Sequence, residues 1–373
     1  MKDVEAWTTL VSPSSSRDPR KLAERAQRLE SDGWDGASLV DSQCLMGDAF
    51  AVLTLAAVST STLKLGTGTS NPVTRHPSVL ANLAATVQVI SGGRMSLGIG
   101  RGDSALAHIG ARPATVATFD KVLSMLKSYL RNDGVPMSDS ASMLAVGRPG
   151  LDGIAIANAP ETSRLHWLPA DLPPVEIEVA ASGPKVIAAA ARHADWISFS
   201  LGADEHRLQW AIDVAREEMD RAGREPGSVR FGAYLPLYPH EDVEFARELS
   251  RGIVTSHSRF AVMSNSITGP VSESQRANLE RVKSTYDMTK HGDAAGAHSR
   301  VLDDDYIDQF ALVGDPDRCV ERIERLVDIG IERFNFWTAD LDGKAGESYG
   351  LAVESILPRV PNRGRSPAAS SLD

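Results

Sequence analysis

Short apolar runs alternate with longer amphipathic stretches along most of the chain, which is the pattern of strand–helix units. The first run, Ala6 to Val11, predicts a strand, and Pro19 to Ser31 predicts a helix because Leu22, Ala26 and Leu29 recur at helical spacing before Gly33. Ala37 to Val40 predicts the second strand, which ends at Asp41 and leads to a helix over about Asp48 to Thr60. Leu63 to Thr69 predicts the third. The helix after it starts at Pro77, where a missing N–H is harmless, and carries the stripe Val79, Leu80, Leu83, Ala84, Val87, Ile90 up to Gly92 and Gly93. The fourth unit is the strand Met95 to Ile99 with a helix from Val116 to Arg131, whose Val122, Leu123, Leu126 and Leu130 face inward.

From Asn132 to Pro174 the pattern fades into Gly, Pro, Ser and Asp, so this stretch reads as an insertion, a place where specificity is commonly carried. Strands resume at Glu176 to Ala181, Trp196 to Ser200 and Val229 to Leu235, with helices over Pro184 to His193 and Asp204 to Ala222. Asp242 to Asp293 is helical but irregular, with an interruption near Ser264 to Gly269. Asp315, Pro316 and the stripe Val320, Ile323, Leu326, Val327 predict a capped helix before an eighth strand, Arg333 to Trp337. Eight alternations, without a purely β or purely α half and without an internal repeat, predict an α/β fold: one (β/α)8 TIM barrel with insertions near 132–174 and 242–293, spanning 1–360. An open doubly wound sheet is the alternative. The polar tail 361–373 is expected to be disordered.

Composition narrows the function. Of 373 residues, 42% are hydrophobic and 24% charged, the balance of a folded globular protein. The net charge of −10, with no basic run, opposes nucleic-acid binding and favours a small-molecule substrate. Two cysteines, Cys44 and Cys319, exclude a disulfide framework and a zinc site built mainly on thiolates. Asp3 and Glu5 stand where a signal peptide needs an apolar core, and no apolar window is long enough to span a bilayer, so a cytoplasmic protein without membrane contact is expected.

In a barrel the chemistry sits on the loops after the strands. Those loops read Asp41-Ser42-Gln43 with Met46 and Asp48; Gly66 through Pro77 as GTGTSNPVTRHP; Gly98 through Ser104 as GIGRGDS; and Ala180-Ala181-Ser182-Gly183-Pro184-Lys185. The last string puts backbone N–H groups and a helix dipole at the mouth, as a phosphate requires, and reads equally as an ordinary tight turn. Gly98, Gly100 and Gly102 fall short of a dinucleotide fingerprint because Asp103 stands where glycine is needed. His76 before Pro77 reads as the cap of the next helix. The nine histidines show no metal-ligand spacing, and there is neither a Gly-x-Ser-x-Gly elbow nor a P-loop, so no metal is expected.

Together with Phe310 through Asp317, FALVGDPD, these strings resemble the bacterial luciferase-like superfamily, and within it the deazaflavin-dependent branch that includes methylenetetrahydromethanopterin reductase. The resemblance implies a mouth holding coenzyme F420, or alternatively FMN, with strand eight and Glu347 to Ile356 closing the far side. It implies a cis Gly68–Thr69 bond under the cofactor ring, flanked by Ser70 and Asn71. Gly100 and Gly102 would let a flat ring approach the backbone, and Asp103 with Ser104 would contact the ring or its side chain; the other reading of Asp103 is a helix cap. Ala180, Ala181, Ser182, Gly183 and Lys185 would hold the phosphate, and Arg75, Arg101 and Lys185 would attract an anionic tail.

Asp41 would assist proton transfer, with Gln43 and Asp48 shaping the pocket. Related alcohol and sugar-phosphate dehydrogenases carry histidine where this chain has Ser42, and a serine has no usable pKa near neutrality. The expected reaction is therefore hydride transfer between the deazaflavin and an electrophilic C=N, C=C or C=O. An FMN-dependent monooxygenase and a non-catalytic flavin-binding accessory protein are the alternatives. The family also implies a homodimer, for which the apolar helices after strands two and three are candidates, although burial in the core explains them equally well.

Overall fold

The structure is a computed structural model that describes residues 3–12, 17–144, 150, 154–263, 266–291, 296–339, 341 and 343–361. Eight parallel strands close on themselves: β1 Glu5–Thr9, β2 Gly36–Leu39, β3 Lys64–Thr67, β4 Met95–Ile99, β5 Glu176–Ala181, β6 Trp196–Phe199, β7 Arg230–Pro239 and β8 Arg333–Thr338. β1 pairs with β2 (Trp7 opposite Gly36) and with β8 (Glu5 opposite Arg333), and β7 completes the ring between β6 and β8. This is the (β/α)8 barrel that the alternation predicts.

The outer helices are α1 Pro19–Ser31, α2 Ala49–Ser59, α3 Pro77–Ile90, α4 Val116–Leu130, α5 Pro184–His193 and α6 Glu205–Arg221. Most begin at a side chain that satisfies an orphan backbone N–H: Asp18, Asp48, His76, Thr115 and Asp204 cap α1, α2, α3, α4 and α6. α5 is the exception, because Gly183 at its N-cap has no side chain to offer.

The barrel interior is filled from the strands. Trp7 lies fully buried against β2, and a Cβ at Gly36 would stand 2.4 Å from its ring, so only glycine fits opposite it. Below the mouth, Arg333 is sandwiched between Trp7 and Trp196, with its guanidinium carbon 4.5 and 3.8 Å from their ring centres.

Three features differ from the sequence expectations. β7 continues past Leu235 to Pro239, because its far half pairs with a short parallel strand, Leu312–Gly314. That strand lies in the FALVGDPD string and is too short to announce itself by alternation. The first insertion contains a small antiparallel hairpin, Val135–Pro136 with Thr162–Ser163, and a helical turn, Met137–Ala141. The second comprises α7 Val243–Ser258, α8 Glu273–Thr285 and α9 Asp304–Phe310, held by an apolar cluster that includes Tyr238, Val254, Leu279, Val282, Ile307 and Phe310. It therefore extends beyond Asp293, up to α10 Pro316–Asp328. α11, Gly343–Leu351, continues through a π-turn, Ala352–Ile356, and Tyr349 ties it to the segment after α1: its hydroxyl donates to Asp32 (2.6 Å) and accepts from Trp34 Nε1 (3.1 Å). Of the expected interruption near Ser264 to Gly269, residues 264 and 265 lie outside the described residues, as does the tail 362–373.

Candidate active site at the barrel mouth

The loops after β2 and β3 build one side of the mouth. Asp41 is 2% exposed, and both of its oxygens are engaged: Oδ2 accepts from Arg75 Nη1 (2.5 Å) and from Ser70 Oγ (2.6 Å), and Oδ1 accepts from Arg75 Nη2 (3.2 Å). Arg75 also reaches Asp48 Oδ2 at 2.8 Å and lies over the Phe50 ring. Asp48 uses its other oxygen to cap α2, accepting from the N–H groups of Phe50 and Ala51 at 3.0 Å. Partial burial alone would raise the Asp48 pKa, but those amide donors and Arg75 outweigh it and leave it lowered. Asp48 is thus a cap and an ion-pair partner. Gln43 is exposed and donates from Nε2 to the Ala105 carbonyl (2.8 Å), which ties the β2 loop to the β4 loop; the Ser42 and Ser104 hydroxyls add a 3.3 Å contact.

The Gly68–Thr69 peptide bond is cis, as the resemblance implies. The chain leaves β3 through Ser70, which bridges to Ile99: its N–H donates to Gly98 O (2.8 Å) and its carbonyl accepts from Gly100 N (3.0 Å). β3 and β4 approach so closely here that a Cβ on Gly98 would lie 1.8 Å from the Thr67 carbonyl oxygen. Asn71 Oδ1 holds the following turn by accepting from Val73 N and Thr74 N, while Asn71 Nδ2 and Thr74 Oγ1 are buried without a hydrogen-bond partner. His76 caps α3 as expected, its Nδ1 accepting from Ser78 N and its Nε2 donating to Ser140 O.

After β4, Gly100 is buried, and Gly102, Asp103 and Ser104 are partly exposed at the mouth. Asp103 stands at the N-cap position of a four-residue helical turn but makes no capping hydrogen bond; instead it pairs with Arg259 from the second insertion. Arg101 is turned to the Ala114 carbonyl (2.6 Å). Arg75 and Arg101 are therefore engaged within the protein, and of the three expected tail-attracting cations Lys185 is the exposed one.

After β5, Ala180 and Ala181 lead to Ser182 and Gly183 at the uncapped start of α5. Ser182 Oγ donates to Phe260 O at 3.3 Å, and a Cβ on Gly183 would face Thr268 Oγ1 at 3.7 Å. The second insertion thus roofs this turn.

Sequence reasoning missed the opposite arc. His257, near the end of α7, sits between Ser200 after β6, Tyr234 on β7, Phe260, and Trp337 on β8. Burial, with a small push from His291, lowers its pKa to about 3. Beyond it, Tyr286 meets His291 Nδ1 through its hydroxyl (2.5 Å), and Arg259 lies over the Tyr286 ring. Burial, together with Arg259, His108 and His298, lowers the His291 pKa to about 4. No local motif marks these residues, because each comes from a helix or turn whose own periodicity is ordinary.

A parallel barrel whose C-terminal mouth carries an uncapped helix start, closely approaching glycine-rich backbone and buried polar atoms without partners defines a cofactor-binding (β/α)8 enzyme scaffold. The chain belongs to the luciferase-like monooxygenase family, whose sequence profile matches residues 5–333. It is 28% identical over 334 residues to the 5,10-methylenetetrahydromethanopterin reductase of Methanopyrus kandleri, covering 84% of this chain and 87% of that one. It is 23% identical over 313 residues to the phthiodiolone/phenolphthiodiolone dimycocerosates ketoreductase of Mycobacterium bovis, covering 80% and 75%. Among solved structures, the coenzyme F420-dependent tetrahydromethanopterin reductase of Methanopyrus kandleri superposes with a TM-score of 0.70 at 22% identity over 96% of this chain and all of that one. An F420-dependent secondary alcohol dehydrogenase in complex with an F420–acetone adduct also gives 0.70, at 17% identity over 96% and 99%.

Proposed function

We propose that this protein is an F420-dependent oxidoreductase that moves a hydride between the deazaflavin and an electrophilic C=N, C=C or C=O of a small organic substrate. The observation that carries the reading is the similarity, over most of both chains, to reductases of that kind, joined to a mouth that fits the cofactor's parts. The start of α5 at Ser182 and Gly183 has no side-chain cap, so its amides suit a phosphate. Asn71 Nδ2 and Thr74 Oγ1 are buried without hydrogen-bond partners, so they suit polar edges of a ring system or its side chain.

When bound, the deazaflavin supplies two-electron hydride chemistry; the protein supplies position and charge. Gly68, Thr69, Ser70, Gly100 and Gly102 form the surface against which the ring rests. Asp41 assists proton transfer through Ser70, whose hydroxyl donates to it, while Arg75 fixes the carboxylate in place. Gln43 ties the β2 loop to the β4 loop, and Lys185 meets the cofactor's anionic tail.

The test is titration of the cofactor-free protein with F420 and with FMN, followed by absorbance and fluorescence. Tighter F420 binding, and oxidation of reduced F420 by acetone, 2-cyclohexenone or 2-methyl-1-pyrroline, are the expected results. Preferential FMN binding with oxygen uptake matched to product would establish the second reading, a flavin-dependent monooxygenase; that reading draws on structural neighbours such as the FMN-bound oxygenating constituent of 3,6-diketocamphane monooxygenase.

The protein is further proposed to work in the cytoplasm as a homodimer. Among the described residues no helix is long and apolar enough to cross a membrane. The sequence of α2, AFAVLTLAAVS, is apolar around its circumference yet leaves Leu55 and Val58 exposed, as Val79, Val89 and Ile90 are on the neighbouring α3. Light scattering is expected to give twice the chain mass, and Val58→Lys to shift it toward one.

A further inference from the structure

The structure brings an imidazole, His257, to the end of the barrel where β6 leaves for Ser200. His257 lies in a stretch, Val254 to Ser258, in which every residue is buried, so the end of α7 packs on more than one stripe. Its Nδ1 is 3.2 Å from Ser200 Oγ. Ser200 is the first residue after β6, and its N–H donates to the carbonyl of Ala181 (2.9 Å), the residue just before the Ser182–Gly183 turn. Three positions after His257, the Phe260 carbonyl accepts from Ser182 Oγ. The imidazole is therefore fixed to the turn proposed to hold the phosphate through two separate connections.

Aromatic rings pack around it, while Nε2 makes no hydrogen bond among the described residues and is not among the fully buried unpartnered atoms. Phe260 and Trp337 each stand edge-to-face at 5.6 Å and 74°, and Tyr234 is tilted at 6.3 Å. Such packing fixes the ring plane and disfavours a charged imidazolium. Its titratable neighbour is His291, which is itself shifted toward the neutral form. A neutral imidazole has one donor and one acceptor nitrogen, and the partner of one sets the role of the other.

We propose that His257 is the hydrogen-bond donor that receives the electrophilic end of the substrate: the Ser200 hydroxyl donates to Nδ1, which places the hydrogen on Nε2, and Nε2–H polarises the carbonyl oxygen or imine nitrogen. This deepens the oxidoreductase reading and rests on it. Hydride delivery to the carbon pushes the π electron pair onto the heteroatom, which is protonated by water with the assistance of Ser70 and Asp41. The two electrons come from the reduced deazaflavin, and His257 keeps its own proton throughout. A neutral donor suits this step because it strengthens its hydrogen bond as negative charge develops and needs no prior protonation.

The test has two arms on the full-length protein. In the first, 15N NMR of the histidine side chains, without cofactor, is expected to show His257 as the Nε2–H tautomer, unchanged between about pH 5 and 8. An Nδ1–H tautomer, or an imidazolium in that range, overturns the proposal whichever cofactor the protein uses. In the second, turnover of reduced F420 with the same acetone, 2-cyclohexenone and 2-methyl-1-pyrroline is measured for His257→Leu, His257→Gln and Ser200→Ala. His257→Leu is expected to lower kcat about 100-fold, the scale of one lost oxyanion donor, with F420 affinity nearly unchanged. His257→Gln, which keeps an N–H donor, should recover much of that loss, and Ser200→Ala should fall between. Equal losses in the leucine and glutamine variants, accompanied by weaker F420 binding, would show a packing role and overturn the proposal. A wild-type protein that binds no F420 removes the oxidoreductase reading instead, and the NMR arm still judges the tautomer.

Discussion

Two arginine–carboxylate clusters occupy the same barrel at different depths, and they are built for different ends. In the interior, Arg333 is 0% exposed and bonds through all three nitrogens, to Glu5 (2.9 Å), Glu178 (2.7 Å) and Glu176 (3.2 Å), between two tryptophan faces. Glu178 accepts in addition from Asn335 (2.8 Å) and Ser198, and Glu5 from Lys64 (2.7 Å). At the mouth, Arg75 holds Asp41 and Asp48, but Asn71 Nδ2 and Thr74 Oγ1 nearby have no hydrogen-bond partner among the described residues. Buried polar groups are normally satisfied, so a network whose guanidinium and carboxylates are all paired reads as architecture, even with the Trp196 indole N–H beside it unpaired, whereas unsatisfied atoms next to an ion pair read as a place prepared for something else.

The sharpest way to break the comparison is Arg333→Met. Removing the guanidinium strands buried carboxylates, so a loss of about 3–5 kcal/mol in urea unfolding is expected, while any folded fraction still binds F420. A loss below 1 kcal/mol would deny the interior cluster its architectural role.

Acid comes next. Burial would raise the Glu5 pKa, but Arg333 and then Lys64 outweigh it and bring it to about 2, against 4.5 for an unperturbed carboxyl. A lowered folded-state pKa gives stability that is present above the unfolded value and lost as pH falls through the folded one. The unfolding free energy from urea titrations should therefore drop between about pH 4.5 and 2, by an amount on the order of 3 kcal/mol, and Glu5→Gln should flatten that slope.

Asp41→Asn addresses the mouth. A stability loss of roughly 2 kcal/mol is expected, the scale of a hydrogen bond to a charged group, together with a larger effect on turnover of reduced F420, about tenfold or more. A variant that loses stability but keeps its kcat would move Asp41 into the architectural class beside Glu178. The smallest effect is expected from Lys185→Ala: exposed charge is screened, so F420 binding should weaken no more than about fivefold, and the difference should shrink in high salt.

Much of the fold was legible because its signals are local. The cap at His76 and the helix starts near Pro19, Asp48, Val116 and Asp204 are written in local spacing and single residues, and the strands in apolar runs. The short strand Leu312–Gly314 was not legible, since three residues carry no alternation and its partner is the far half of β7. The strand-end strings marked the β2–β5 side of the mouth, and the family likeness pointed to the cis Gly68–Thr69 bond. Which of these residues are committed to one another could not be read: nothing in the spacing of Asp41 and Arg75, or of Asp103 and Arg259, announces a pair.

The sequence by itself determined the barrel and which loops crown it, because periodicity, capping and glycine placement act over a few residues. Long-range packing set the rest: Asp41 clasped by Arg75 and Ser70, Arg333 between two tryptophans, and His257 against Ser200. Those outcomes depend on which distant segments share one low-dielectric space, where the pairing and hydration of a polar group are set by neighbours as far away along the chain as Glu5 is from Arg333.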